Sequence, residues 1–359
     1  MRILILWADD RSFNLGVRAL AEGTEALARQ VWPDAEFSFL TWGRRDAPMP
    51  VGDPKALLRE LATRRRGMVR WLAGFDLVLD TRAGDSFADI YGRSRHAAMS
   101  LLAELVRRSR TVLVMCPQTI GPFTTRLGRL SARRSMSSAR LVMARDSTSA
   151  ERSGQLHRRV DVVTTDVVFA IQAPPRRVTR DVLLNISGLL WHPSPHVDHE
   201  AYRRVVHQLY ARLLASGRQV SLLAHVLESD FADNDGQAIR AFVKDLDGQK
   251  PEVIIPSSLA DVRRIVASAN LVIGSRMHAC LNALSVGTPA VALAYSRKFE
   301  PLLRDIGWTA TVNLRGADDP VEEVMGMVAS EAVAERASAT ADRAHALLAL
   351  AQDALRKVA

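Results

Sequence analysis

The feature that most constrains the fold of this chain is a regular alternation of short apolar runs with longer segments of helical pattern. The candidate strands are Arg2–Trp7, Glu36–Thr41, Leu77–Asp80, Thr111–Cys116, Leu141–Ala144, Val160–Val163, Val182–Ile186, Gln219–Ala224, Val253–Ile255, Leu271–Ile273 and Ala290–Ala294. Continuously apolar strands separated by helices are typical of parallel sheets that are covered on both faces. The pattern therefore predicts an α/β protein.

A polar, proline-bearing stretch at residues 172–180 interrupts this alternation near the middle of the chain. A length of 359 residues exceeds one ordinary hydrophobic core. We therefore predict two doubly wound domains, residues 1–174 and 175–359, that face a cleft and bind ligands at the carboxyl ends of their strands. The last segment, Val321–Ala359, reads as an amphipathic helical stretch with a packing role, either within its own domain or crossing back to the first.

Composition limits the cellular setting that we expect. The longest apolar runs fall far short of the roughly 20 residues that span a bilayer. The N-terminus turns acidic too soon for a signal peptide, since Asp9 and Asp10 follow one short apolar run. The only two cysteines, Cys116 and Cys280, provide no disulfide framework. We expect a cytoplasmic protein.

The formal net charge of +9 points to an anionic partner. Nucleic acid, lipid headgroups and small anionic substrates all fit such a balance. Aromatic residues make up only 6% of the chain, and the densest basic run, Arg64–Arg66, has none beside it. We therefore predict no nucleic-acid partner, with a peripheral contact to the inner membrane face as a secondary interpretation of the charge.

The segment from Ile273 to Lys298 carries the strongest chemical signal. Gly274 allows a tight turn after a predicted strand, and the residues that follow begin a helix. Helix N-termini favour anions because unpaired N–H groups and the helix dipole point there. The polar residues brought to this edge are Ser275, Arg276, His278 and Lys298. Taken alone, the pattern also fits a helix cap and a surface ion pair.

Other polar residues follow predicted strands in the same way, where they can bind hydroxyl groups, accept a proton or cap a helix. They are Asn14 and Gly16 after the first strand, Asp85, Ser86 and Asp89 after the third, Gln118 and Thr119 after the fourth, Arg145 after the fifth and His225 after the eighth. No glycine-rich dinucleotide or P-loop motif follows any strand.

Three histidines, His192, His196 and His199, lie close together in a proline-bearing stretch. Structural zinc sites show fixed ligand spacings on firm elements, usually with cysteine. This stretch offers neither, so we predict no metal here. A solvated loop and a loop that contacts the acceptor substrate remain as interpretations.

Taken together, these runs resemble the polysaccharide pyruvyl transferase family over nearly the whole chain. The matching pieces are Asn14-x-Gly16, Gly84-Asp85-Ser86-Phe87 through Tyr91-Gly92, Pro117-Gln-Thr-Ile-Gly-Pro-Phe123, Ala144-Arg-Asp146, Asp166 with Phe169, and Gly274-x-Arg-x-His278 through Lys298. This chain has Ala83-Gly84-Asp85 where Gly-Gly-Asp is commoner in the family, which weakens the match at the acceptor end.

The resemblance implies two Rossmann-like domains of the glycosyltransferase B type, acceptor side first and donor side second. It implies an enzyme that moves pyruvate from phosphoenolpyruvate onto two hydroxyls of a saccharide or glycolipid, with no metal or other cofactor. The implied donor-binding residues are Ser275, Arg276, Lys298 and Arg145, with His278 as general acid, Asp85 (or Asp89) as base, and Asn14, Gly16, Ser86, Asp89, Gln118 and Thr119 on the acceptor side. The position of His225 after the eighth strand places it on the acceptor side as well. A nucleotide-sugar glycosyltransferase and a catalytically silent scaffold protein remain as alternatives.

Overall fold

The computed structural model describes residues 1–43, 46–227, 233–246, 248 and 250–358. The strands are β1 (Arg2–Leu6), β2 (Glu36–Leu40), β3 (Leu77–Asp80), β4 (Val112–Gln118), β5 (Leu141–Ala144), β6 (Val162–Val163), β7 (Arg180–Asn185), β8 (Val220–Leu223), β9 (Val253–Ile254), β10 (Ala269–Gly274), β11 (Ala290–Ala294) and β12 (Thr311–Asn313). The helices are α1 (Leu15–Arg29), α2 (Pro54–Thr63), α3 (Met68–Leu72), α4 (Arg93–Ser109), α5 (Arg126–Ser138), α6 (Ser147–Gln155), α7 (Gly188–Trp191), α8 (His199–Ala215), α9 (Asp235–Lys244), α10 (Leu259–Ala267), α11 (Met277–Leu284), α12 (Phe299–Asp305), α13 (Pro320–Val328) and α14 (Glu331–Arg356).

The chain forms two compact units, each assembled from separate stretches of sequence. Unit 1 consists of Met1–Asp10, Leu20–Ile171 and Ala344–Ala359, and unit 2 of Arg11–Ala19 and Gln172–Arg343. The main change of unit, at residues 171 and 172, lies three residues before the predicted boundary. None of the described helices is both long and apolar enough to cross a bilayer.

The sheet of unit 1 has the strand order β2-β1-β3-β4-β5-β6, with parallel pairing throughout. Ile3 to Leu6 of the interior strand β1 are fully buried, as is expected of a strand in a sheet that helices cover on both faces. The order of connection reverses between β1 and β3. In open α/β sheets such a reversal point opens a crevice at the carboxyl ends of the strands.

The sheet of unit 2 has the order β12-β11-β10-β7-β8-β9, again parallel. Its order of connection reverses between β7 and β10. Asn185 ends the first of these strands and Gly274 ends the second, and the two residues are partners in register. Ser275 and Arg276, two of the predicted donor residues, follow Gly274 at this point.

The sequence predicts both sheets closely, since each of the eleven predicted strands is present to within about two residues. The apolar pattern did not predict β12, a short strand at the edge of the sheet in unit 2, in which Val312 is buried while Asn313 is exposed. One buried side chain gives too weak an apolar signal to be recognised in the sequence.

The prediction that residues 1–174 form one domain is wrong for Arg11–Ala19, which belongs to unit 2. Backbone hydrogen bonds cause this placement: Leu15 N donates to His225 O at 3.2 Å, and Leu227 N donates to Phe13 O at 2.8 Å. Asn14 also forms an isolated antiparallel bridge with Val226. The segment thus packs against the loop after β8 and is hydrogen-bonded to it.

The C-terminal half of α14 belongs to unit 1. Ala344, Leu348, Ala351 and Leu355 are buried at the three- and four-residue spacing of one helix face. Thr164 of unit 1 donates its hydroxyl to Leu347 O at 2.8 Å.

Candidate active site

Asn185 organises the reversal point of unit 2. Its side-chain oxygen accepts a hydrogen bond from Arg276 N at 2.9 Å, and its amide nitrogen donates to Leu223 O at 2.9 Å. Its backbone oxygen accepts from Ser275 N at 3.4 Å. One buried side chain therefore fixes the start of the loop after β10, with Ser275 and Arg276, against its neighbouring strands.

Arg276 is almost completely buried and forms an ion pair with Asp235. Its Nε and Nη2 approach Asp235 Oδ1 at 3.1 and 2.7 Å. Burial would lower the pKa of Arg276, but the charge and hydrogen bonds of Asp235 outweigh it and raise that pKa. The guanidinium is therefore a fixed, permanent positive charge at the reversal point.

Asp235 is the residue of this site that sequence reasoning missed. Its carboxylate is fully buried and, besides Arg276, accepts hydrogen bonds from Gly188 N, His225 N and Val226 N, each at 2.9 Å. It is the first residue of α9, after the Asn234 cap. The only signal in the sequence was the Asn234-Asp235 pair before a helical segment, a common capping pattern.

His278 lies in the first turn of α11 and is half-buried. Asn282, one turn later, donates its side-chain amide to His278 O at 2.8 Å. A Cβ placed on Gly16 would lie 2.8 Å from His278 Nδ1, closer than such contacts allow. Gly16 therefore lies directly against the imidazole of His278, where a larger residue has no room.

The side chain of Asn14 shapes this turn, because its Oδ1 accepts a hydrogen bond from Gly16 N at 2.9 Å. Both residues were predicted on the acceptor side in the first domain. The structure brings them instead to His278 in unit 2.

His225 is buried beneath this region and is neutral. Asn282 Nδ2 lies 3.0 Å from His225 Nε2, while Asn282 Oδ1 accepts from Arg263 Nη1 at 3.2 Å. The arginine fixes the amide orientation, so His225 Nε2 is the acceptor and carries no proton. Burial first, and then the charges of His278 and Arg276, hold the pKa of His225 well below its usual value. A buried neutral imidazole of this kind supports the site from below.

Ser275 is fully buried and accepts a hydrogen bond from the Tyr202 hydroxyl at 2.8 Å. The same hydroxyl accepts from Ser187 N at 2.9 Å, and burial raises the pKa of Tyr202 to about 12. Ser275 therefore has a structural partner within unit 2. Lys298, the other predicted donor residue of this unit, is half-buried and precedes α12.

In unit 1, Asp85 is half-buried on the loop after β3, and the Ser86 hydroxyl lies 3.4 Å from its Oδ1. Three successive residues before it, Arg82, Ala83 and Gly84, have positive φ angles of 49°, 51° and 75°. Such a left-handed run is costly for the two residues that carry a Cβ, which sets this loop apart from an ordinary connection.

Asp89, which we considered as an alternative base, holds the loop before α5. Its carboxylate accepts four hydrogen bonds from the backbone N–H and hydroxyl groups of Thr124 and Thr125, at 2.8 to 3.1 Å. Burial alone would raise the pKa of Asp89, but these bonds lower it to about 2. A carboxylate so saturated is a weak base, which favours Asp85 for that role.

Arg145 is also engaged within unit 1. It is buried, donates from Nε to the Thr119 hydroxyl at 2.9 Å and forms an ion pair with Asp166 at 2.9 Å. Gln118, the last residue of β4, is fully buried, and its backbone oxygen accepts a hydrogen bond from Arg145 N at 3.1 Å. These contacts give Arg145 a structural role in unit 1, and its contact with the donor stays a prediction.

The sequence model of the polysaccharide pyruvyl transferase family matches residues 14–297. The match covers more than half of the chain and includes every strand except β1 and β12. The chain belongs to this family. The matched range begins at Asn14 and includes Ser275, Arg276 and His278, so the family pattern spans the residues that the structure gathers at the reversal point of unit 2.

Solved structures similar to this family member share its fold at low identity. A putative UDP-N-acetylglucosamine 2-epimerase from Listeria monocytogenes is 12% identical, with a TM-score of 0.61 over 98% of this chain and 94% of that one. MnaA of S. aureus, solved with UDP, is 10% identical, with a TM-score of 0.60 over 94% and 91%. Anabaena Alr3699/HepE, in complex with UDP, is 13% identical, with a TM-score of 0.57 over 99% of both chains. These likenesses establish two Rossmann-like domains of the glycosyltransferase B type.

Proposed function

We propose that this family member transfers pyruvate from phosphoenolpyruvate onto two hydroxyl groups of one sugar, forming a ketal and releasing phosphate. The observation that carries the proposal is that a buried, permanently charged Arg276 and a half-buried His278 lie two residues apart at the reversal point of unit 2, within the segment that the family model matches. We expect the acceptor to be a saccharide or glycolipid destined for the cell surface.

The reaction needs few functional groups. Protonation of the methylene carbon of phosphoenolpyruvate makes the central carbon cationic, so that one sugar hydroxyl adds to it. Phosphate then leaves, and the second hydroxyl closes the ring. Of the two hydroxyl protons released, one balances the proton delivered to carbon and the other leaves with phosphate. The enzyme must therefore bind a small polyanion, deliver a proton and accept protons.

The described residues are suited to these tasks. Arg276 offers a fixed positive charge for the donor, and Lys298 adds a second on the neighbouring loop. His278 is the proposed general acid, since an imidazole titrates near neutral pH. The phosphate dianion of the donor favours the protonated imidazole, so that donor binding prepares the acid. Asp85 is the proposed base toward the acceptor.

No cofactor enters this scheme. Among the described residues, no group of three or more histidine, cysteine or carboxylate side chains is placed to hold a metal ion. The positive charge that the departing phosphate requires is supplied in the scheme by Arg276 and Lys298.

The test is acceptor-dependent phosphate release from phosphoenolpyruvate by the purified protein, with His278→Gln as the diagnostic variant. Loss of a general acid costs about 10²–10⁴-fold in rate, so we expect turnover to fall in that range while the fold is retained. His192→Gln, on a different loop of unit 2, is the matched control and should turn over normally.

Turnover by His278→Gln near the wild-type rate would remove His278 from the chemistry. Release of a nucleoside diphosphate from a nucleotide sugar, with phosphoenolpyruvate inert, would instead establish a glycosyltransferase. Inactivity with every donor would favour a silent scaffold protein.

A further inference from the structure

His196, one of the three clustered histidines of the sequence, lies among the positive charges of unit 2. Its ring packs edge to face against Tyr295, with ring centroids 5.2 Å apart and an interplanar angle of 67°. Tyr295 follows β11 and is itself buried, with its ring centroid 5.4 Å from that of Phe299. The imidazole is therefore held by a firm neighbour and is half-buried.

Arg315 fixes the loop that carries His196. Its Nε donates to His196 O at 2.6 Å, and its Nη2 donates to Pro195 O at 3.2 Å. Its own backbone N–H is bound by Asn313 Oδ1 at 3.0 Å, at the end of β12. These exposed hydrogen bonds tie the backbone of the loop to the segment after β12.

The charged and titratable groups that face His196 come from three other loops at the same sheet edge. They are Arg276 after β10, Tyr295 and Lys298 after β11, and Arg315 after β12. Three of these four groups are cations, and one of them, Arg276, is paired with the buried Asp235. Burial first, and then Lys298, Arg315 and Arg276, lower the pKa of His196. The local field therefore opposes a further positive charge and favours an anion.

We propose that His196 is an additional donor-site residue that hydrogen-bonds the phosphate group of the bound donor and becomes protonated as that group binds. The inference rests on the proposed function and refines it by assigning the phosphate end of phosphoenolpyruvate to His196 and Lys298. A dianion offsets the surrounding cations, so it reverses the field that keeps the imidazole neutral. A carboxylate, with a single charge, does so less.

The test is calorimetric titration of the intact protein near pH 7 with inorganic phosphate, phosphoenolpyruvate and pyruvate. Measurement in two buffers of different ionisation enthalpy counts the protons taken up. Two variants are compared: His196→Phe, which keeps the ring contact with Tyr295, and His196→Gln, which keeps a polar side chain. Since a hydrogen bond to a charged group is worth a factor of about ten or more in affinity, both should bind phosphate and phosphoenolpyruvate at least about tenfold more weakly.

Both variants should also take up fewer protons with these two ligands, while the binding of pyruvate should change little. His278→Gln separates the two imidazoles, because the proton uptake that belongs to His196 should persist in it. His192→Gln, four residues earlier on the same loop, should behave as the wild-type protein does.

Wild-type phosphate affinity and proton uptake in both His196 variants would overturn the inference. The outcome for the proposed function is read separately, from turnover. Phosphate binding that depends on His196, without pyruvyl transfer to any glycan, would leave the anion site standing and remove the function. Turnover by His196→Phe with an unchanged KM for phosphoenolpyruvate would leave the function standing and remove the role of His196.

Discussion

At the scale of single residues, the contact between Gly16 and His278 ties a short N-terminal segment to the proposed acid. The Asn14 side chain holds Gly16 N at 2.9 Å, and the missing Cβ of Gly16 makes room for His278 Nδ1. Gly16 touches no reacting atom in the proposed chemistry. Its role is to position the imidazole.

Replacing Gly16 with Ala should therefore lower kcat and leave the KM for phosphoenolpyruvate nearly unchanged. The new methyl group must displace the imidazole, and misplacement of a catalytic group by about 1 Å can cost about 10²-fold. Steady-state kinetics with varied donor concentration measure the two constants. The control is Gly326→Ala in α13, where a Cβ meets nothing within 4 Å; it should keep both. A rise in KM with unchanged kcat in Gly16→Ala would contradict the positioning role.

Part of this site could be predicted from the sequence, because local order along the chain determines it. Arg276 and His278 follow a strand and begin a helix, and both properties are visible in the pattern around Gly274. Asp235 and Gly16 are different, since they reach the site from 41 and 262 residues away in the chain. Contacts between residues so far apart in sequence depend on tertiary packing, and the spacing of residues along the chain does not predict them.

At the scale of elements, the N-terminus of α9 holds together the loop after β7, the loop after β8 and the loop before α11. Asp235 does this through hydrogen bonds to Gly188, to His225 and Val226, and to Arg276. The carboxylate charge matters here, because the guanidinium that it faces is buried. Removing one partner of a buried ion pair leaves the other uncompensated.

We expect Asp235→Asn to lower the free energy of unfolding of unit 2 by about 3–5 kcal/mol. Asp181→Asn is the matched control: Asp181 pairs with Arg218 in the same unit, but their side chains are 24% and 26% exposed. Breaking that partly solvated pair should cost about 1 kcal/mol or less. Chemical denaturation measures the free energy of unfolding of both variants. Equal losses would show that the buried ion pair of Asp235 contributes no more to stability than the partly exposed pair of Asp181.

The strands themselves were predictable because each buried strand is continuously apolar. The limits of this signal are instructive. The edge strand β12 buries Val312 alone in its centre and leaves Asn313 exposed, so it resembles a loop. Segment Arg11–Ala19 has no such pattern, and its contacts with unit 2, among them hydrogen bonds to the loop after β8, assign it to that unit.

At the scale of the whole molecule, neither unit is a single stretch of chain. The last part of unit 1, Ala344–Ala359, follows the whole of unit 2 along the chain. The helix α14 therefore contributes its first half to one unit and its second half to the other. A cut at the linker alone would leave unit 1 without the apolar face of Leu348 and Leu355, which are 5% and 1% exposed.

This dependence predicts that the same substitution lowers the free energy of unfolding at one leucine of α14 and leaves it nearly unchanged at a nearby one. Leu348→Asp places a charge in the core of unit 1 and should cost about 3 kcal/mol or more. Leu350→Asp, two residues later where the side chain is 51% exposed, should stay within about 0.5 kcal/mol of the wild type. Hydrogen exchange locates the effect: in Leu348→Asp the amides of β3, β4 and β5 should lose protection, while those of β7 and β10 keep theirs. Equal loss in both sheets would show that the two units unfold together, and unchanged protection in unit 1 would show that its fold does not depend on the returning helix.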